Sequence, residues 1–157
     1  MKNEELMKIA IEESKANMEN NYQKGGPFGA IIVKDGEIIA RAHNTVIESI
    51  DATAHAEVNA IRIASQKLKT HDLSGCILYT SAEPCPMCLS AIIRANIKEV
   101  YFANTKKDVA DIGFRDDMIY EYIKGNKKEI INLHYMQSEE AKEVFSMFKN
   151  INEKIIY

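Results

Sequence analysis

The fold class that this sequence predicts is a three-layer α/β/α domain, a mixed sheet of about five strands with helices on both faces. Three observations lead there. Short β-type runs alternate along the chain with stretches of helical apolar spacing, the mark of strand-helix-strand units. The first two runs flank Asp35-Gly36, a hairpin turn that sets an antiparallel pair within a sheet otherwise joined by helical crossovers. The chain's 157 residues, 46% of them hydrophobic, suffice for one core without disulfide or metal staples. The expectation is therefore one domain over residues 1–157, in which 137–157 form a C-terminal helix and tail that docks on its own or a partner subunit.

The first helix is expected from about Asn3, an N-cap with Glu4 and Glu5 in the first turn, to the region of Asn20, with Leu6, Ile9 and Ala10 starting its buried face. Gly25-Gly26-Pro27 breaks it. Phe28 to Val33 then reads as a strand, paired with Glu37 to Ala42 through Lys34-Asp35-Gly36. After a polar loop, Asp51 or Thr53 caps a second helix whose Ala60, Ile61, Ala64 and Leu68 recur at helical spacing, so His55 and Glu57 fall at a helix start. Cys76 to Ser81 is a third strand, leading through Pro84 into a helix from about Pro86 to Ala95, proline being tolerated in a first turn. Val100 to Ala103 and Ile130 to Tyr135 read as two further strands. Between them, Asn104 to Asp117 is polar and linker-like, suited to a lid or to reaching a partner, and Asp116-Asp117 reads most simply as a turn or a cap before Met118 to Ile123. Ser138 caps a last helix whose inner stripe is Ala141, Val144, Phe145, Phe148 and Ile151.

Composition excludes several functions. The net charge is −3 and the basic residues are scattered, which argues against a nucleic-acid binder. Charges at Lys8, Glu12, Glu13 and Lys15 interrupt the N-terminal apolar stretch, so no signal-peptide core is expected, and no run approaches a membrane span. Of three cysteines, two sit in one metal-type motif, so a disulfide framework is not expected and a reducing cytoplasm is. Cys76, inside a strand, reads as a small core residue.

The chemistry lies in His55-Ala56-Glu57 and Pro84-Cys85-Pro86-Met87-Cys88. Zinc takes imidazole nitrogen and thiolate sulfur, and three protein ligands leave a fourth tetrahedral position for water, whereas structural sites usually close with four. His55, Cys85 and Cys88 supply three, giving one zinc per chain. Glu57 is then spare and fit to carry protons beside the bound water. Cys85 and Cys88, three apart, share one side of a helical turn, and the helix N-terminus favours their thiolates. The first half alone is weak, since a histidine at a helix start is usually ordinary; Pro-Cys-x-x-Cys alone is stronger, but it also suits a redox pair or half of a four-thiolate site. No further cysteine pair exists to complete such a site, so together the halves indicate catalytic zinc. Asn44 by itself reads as a turn former, and Phe28 as core or as a ring on which a base stacks. The apolar ending Ile155-Ile156-Tyr157 reads as docked.

These stretches resemble the cytidine-deaminase superfamily, whose signature pairs H-x-E with P-C-x-x-C. Along almost the whole chain the sequence resembles its small bacterial guanine deaminases. The matching stretches are Gly25-Gly26-Pro27-Phe28-Gly29-Ala30, Thr53-Ala54-His55-Ala56-Glu57 and Glu83-Pro84-Cys85-Pro86-Met87-Cys88. Gly113-Phe114-Arg115-Asp116-Asp117-Met118-Ile119-Tyr120 and the final Tyr157 narrow the resemblance to the guanine branch. It implies a cytidine-deaminase-like fold and hydrolysis of guanine to xanthine and ammonia, with zinc on His55, Cys85 and Cys88 and Glu57 as proton shuttle. For the substrate it implies Asn44 on a carbonyl of the base, Phe28 on its face and Asp116 accepting from its amine or ring nitrogens. Independently of the resemblance, backbone N–H groups near Ala56 and Cys85 are expected to orient the attacking oxygen. It also implies a homodimer in which the C-terminal segment is exchanged, so that Asp116 and Tyr157 act across an interface. The chain departs at Arg94, where the resembled enzymes often carry tryptophan, and that departure bears on substrate range more than on reaction type. The rival readings are a tRNA adenosine deaminase, a cytosine or nucleoside deaminase, and a non-catalytic zinc module; retention of Glu57 argues against the last.

Overall fold

The computed structural model describes residues 1–157, and its sheet has four strands in the order Glu37–His43, Gly29–Lys34, Cys76–Ala82, Glu99–Asn104. Strand β1 (Gly29–Lys34) turns back into β2 (Glu37–His43) through Asp35 and Gly36, both at positive φ, the conformation that a two-residue hairpin of this hand requires. On its other side β1 runs antiparallel to β3 (Cys76–Ala82), which pairs parallel with β4 (Glu99–Asn104). The sheet is mixed, as expected, and has four strands.

Alternation along β1 decides which helix covers which face. Ile31 and Val33 share a cluster with Tyr79 of β3 and with Leu6 and Ala10 of α1 (Asn3–Ser14). Ala30 and Ile32 point the other way, into a core with Leu78, Ala60 and Ala64 of α2 (Ala56–Leu68) and Ile92 of α3 (Pro86–Arg94). Three layers follow directly from this period of two. Full burial of side chains such as Ile31, Ile32 and Leu78 stabilises by about 1.5–3 kcal/mol each. Cys76 is buried in the same core, as its strand setting indicated. Gly29 lies so close to α1 that an added Cβ would sit 2.4 Å from the Ala10 carbonyl oxygen, which is why a residue without a side chain opens β1.

Five expectations change. The first helix ends at Ser14 and a single 3-10 turn follows at Met18–Asn20; Asn3 is not its cap but accepts a hydrogen bond from the Tyr79 hydroxyl at 2.6 Å. The cap of α2 is His55 itself, because Asp51 is occupied in a local turn, accepting from the Thr53 N–H at 2.8 Å. The 104–117 stretch contains α4 (Lys106–Asp111), capped reciprocally by Thr105 and Asp108. The strand expected over Ile130–Tyr135 does not form. Ile130 closes a 3-10 turn at Lys128–Ile130 and residues 131–135 pair with no strand, and β-propensity describes fit to a pleated surface, which is missing there. Finally, the stripe of α6 (Glu139–Lys149) faces solvent, with Phe145 80% exposed; Ser138 caps that helix through the Ala141 N–H, as expected.

The chain divides into two compact units, Met1–Tyr120 and Glu121–Tyr157. The first holds the sheet, α1 to α4 and the start of α5 (Asp117–Ile123). The second contains the end of α5, the 3-10 turn at Lys128–Ile130 and α6. No helix is long and apolar enough to cross a membrane.

Candidate metal centre and pocket

Two helix starts make the site. His55 caps α2 with extended backbone, so its imidazole projects from the helix end and not along its flank. Cys85 caps α3 in the same way, its sulfur accepting the Cys88 N–H at 3.4 Å, and Pro86 occupies the first helical position, where its missing donor is not needed. The loop before α2 is fixed from behind by Asn59, whose Nδ2 donates to the carbonyl oxygens of His43 (2.9 Å) and Ala54 (3.3 Å) and to Thr45 Oγ1 (3.0 Å).

His55 Nδ1 lies 3.6 Å from Cys85 Sγ and 3.4 Å from Cys88 Sγ. Zn–N and Zn–S bonds of about 2.0 and 2.3 Å at a tetrahedral angle put nitrogen and sulfur about 3.5 Å apart, so the donor set fits zinc in both type and spacing. All three ligand atoms lie within 4.8 Å of one another. In the metal-free chain the Cys85 thiol is held down to about 4, first by the hydrogen bond from the Cys88 thiol and then by His55. Cys88, as the donor of that bond and deeply buried, is pushed up. His55 is raised by its hydrogen bond to Cys85.

Glu57, two residues into the same turn, is 6% exposed. Burial lifts its carboxyl from 4.5 to about 7. A buried carboxyl beside the triad is placed to accept a proton and return it.

Above these residues opens a cavity of about 680 Å³ in the first unit. Phe28, Asn44, His55, Glu57, Cys85 and Asp116 line it, so six of the residues singled out from sequence meet in one space. The Asn44 amide has a defined orientation, since Oδ1 accepts from the N–H groups of Val46 (3.1 Å) and Gly26 (3.3 Å) and the NH2 end is left to donate. Partial burial and the neighbouring Cys85 sulfur raise the Asp116 carboxyl. Ala56, fully buried, opens α2, so its N–H is among the first-turn donors without an intrahelical acceptor. Arg94, exposed at the end of α3, does not line the cavity. Tyr157 belongs to the second unit, where it is 83% exposed.

Sequence reasoning missed part of the wall. Phe114 meets Phe28 edge to face at 5.0 Å, and Val109 of α4 and Ile112 extend that apolar side. The Thr105-x-x-Asp108 capping box was the available signal for α4. Gly26 is required beside these rings: an added Cβ would come within 2.8 Å of the Phe28 ring and 3.1 Å of Phe114.

A His-Cys-Cys zinc triad at two helix starts, with a buried carboxyl beside it and a cavity above, defines a zinc-dependent hydrolase of α/β/α architecture. Residues 1–104 match the cytidine and deoxycytidylate deaminase zinc-binding region, and the chain belongs to that family. Guanine deaminase of Bacillus subtilis is 48% identical over 134 residues, covering 85% of this chain and 86% of the relative. The X-ray structure of a guanine deaminase from Bacillus subtilis superposes with a TM-score of 0.92 at 43% identity, over 100% of this chain and 99% of that one. A tRNA-specific adenosine deaminase of Aquifex aeolicus is 39% identical over 158 residues, covering 99% of this chain and 100% of the relative.

Proposed function

We propose that the protein deaminates guanine hydrolytically at C2, consuming water and releasing xanthine and ammonia. The observation that carries this reading is a fixed donor and an acceptor in one cavity with the zinc triad: the Asn44 NH2 and the Asp116 carboxylate. Guanine offers a carbonyl oxygen to the first and N–H groups to the second, whereas adenine would set its own amine against the Asn44 donor. A buried polar group left unpaired by the wrong base costs about 1–3 kcal/mol, a factor of roughly 5 to 150 in discrimination. The similarity to guanine deaminase, in sequence and over the whole fold, supports the same reading.

Bound zinc supplies Lewis acidity that lowers the pKa of a coordinated water to about 7. Glu57 takes the water's proton and passes one to a ring nitrogen of the base, which makes C2 electrophilic. It then takes the proton remaining on the oxygen added at C2 and delivers it to the departing amine, so that the C2–N bond breaks as the C2 carbonyl of xanthine forms and ammonia leaves. Phe28 packs on the face of the base, and the N–H groups of Ala56 and Cys85 orient the attacking oxygen.

The functional unit in this reading is a homodimer with the C-terminal segment exchanged, Tyr157 completing the partner's site. What supports it is apolar surface that a lone chain leaves bare: Leu133, Phe145 and Met147 in the second unit and, separately, Phe102 on the edge strand β4. A tRNA substrate is disfavoured by the net charge of −3 and by the Asp116 segment.

The test is product analysis with zinc-loaded protein and guanine. Xanthine and ammonia in equal amounts, lost on chelation and restored by zinc, are expected. Absence of xanthine while another base or an anticodon stem-loop is deaminated would overturn the assignment, and light scattering that finds a monomer would overturn the dimer.

A further inference from the structure

Asn17 carries no chemistry that the mechanism uses, yet it is 2% exposed and lies between α1 and the 3-10 turn. Its Nδ2 donates to the Asn44 carbonyl oxygen at 2.9 Å and to the Gly26 carbonyl oxygen at 3.1 Å, so one amide spends both hydrogens on two separate pieces of the pocket wall. Those pieces are also joined to each other, because the Gly26 N–H donates to Asn44 Oδ1. A closed ring of three residues results. Asn17 is itself held, its carbonyl oxygen accepting from the Tyr22 N–H at 2.8 Å. Gly25 passes through the middle, where an added Cβ would lie 2.4 Å from the Asn44 carbonyl oxygen and 2.9 Å from Asn17 Nδ2.

The consequence concerns Asn44. Its side-chain oxygen is anchored by Gly26 and Val46, and the Gly26 anchor keeps its place only while the Gly26 and Asn44 backbones stay at a fixed separation. Asn17 sets that separation. We infer that Asn17 is a positioning residue for base recognition: it holds the Asn44 amide with its NH2 turned to the cavity and so governs how tightly a purine carrying a 6-carbonyl binds. The inference rests on the reading of Asn44 as the group that meets that carbonyl. A contact made equally in ground state and transition state changes KM and leaves kcat.

The experiment compares wild type with Asn17→Ala, and with Asn17→Ser, which keeps one donor should the alanine variant fold poorly, all as zinc-loaded full-length protein. Asn17→Ala is expected to raise KM for guanine about tenfold, the value of one hydrogen bond to a buried group, with kcat changed less than about threefold. The inhibition constant of 2-aminopurine, which lacks the carbonyl, should move less than about twofold on the same argument. Asn17→Ser should fall between. Amide hydrogen exchange of Gly26 and Val46 should quicken in both variants without substrate, at a rate set by local opening. An unchanged KM for guanine, or equal losses on guanine and 2-aminopurine, would overturn the inference and leave Asn17 as loop packing. If wild type does not deaminate guanine, the substrate reading fails on its own; the exchange rates then decide the role of Asn17, and unchanged protection at Gly26 and Val46 refutes it.

Discussion

Replacing Glu57 with glutamine should make the protein inactive and, above neutral pH, more stable. Glutamine has the same shape but cannot take up and release a proton, and removal of a positioned proton carrier costs about 10² to 10⁴ in rate. The stability gain follows from burial. In the metal-free chain the folded carboxyl sits at about 7 against an ordinary 4.5, so the native state binds its proton more tightly than the unfolded state does. The sign is then fixed: below 4.5 both states are protonated and nothing is lost, stability falls as pH rises from 4.5 to about 7, and the full penalty applies above that. A rise of that size corresponds to about 3 kcal/mol, and in a chain of this length to roughly 6–12 °C in Tm. Thermal unfolding of the zinc-free proteins at pH 5 and pH 8 reads this directly, with ammonia release by the zinc-loaded proteins alongside. Glu57→Gln should gain at pH 8 much more than at pH 5, retain one zinc per chain and lose turnover. Equal stability of both proteins at pH 8, or turnover above a tenth of wild type, would refute the account of Glu57 as a desolvated proton carrier.

Three further outcomes are expected. Cys88→Ser should drop bound zinc below one per chain and abolish activity, since serine oxygen is a poor zinc ligand; metal analysis after dialysis checks it. Asp116→Asn should lower kcat/KM for guanine by roughly 5- to 100-fold while sparing purines that offer no N–H to that position, and equal loss with every substrate would count against base recognition. Leu78→Ala, fully buried on β3 in the core shared with α2 and α3, should cost about 2–5 kcal/mol by denaturant unfolding with the zinc site's chemistry unchanged in the folded fraction.

The zinc site and most of the sheet were legible because their signals are local. A Cys-x-x-Cys at a strand-to-helix junction fixes two ligands within one turn, and Asp35-Gly36 specifies its hairpin without reference to the rest of the chain. The features that escaped depend on what lies across space. Ile130–Tyr135 has strand composition but no strand beside it, and the α6 stripe has helical periodicity but no covering surface, so a pattern that correctly reports an apolar face says nothing about which chain covers it. Asn17 shows the same limit on a polar residue, for its amide is satisfied by Gly26 and Asn44, the latter 27 residues away, and nothing in the neighbouring sequence marks it. The 104–117 stretch is different: α4 was readable from Thr105 and Asp108, but the polarity of the stretch masked the capping box.

The most direct test of the central claim is ammonia release by zinc-loaded protein presented separately with guanine, adenine, cytosine, their nucleosides and an anticodon stem-loop RNA. The account predicts release from guanine alone, lost on chelation. Release from the RNA or from another base, with none from guanine, would contradict it.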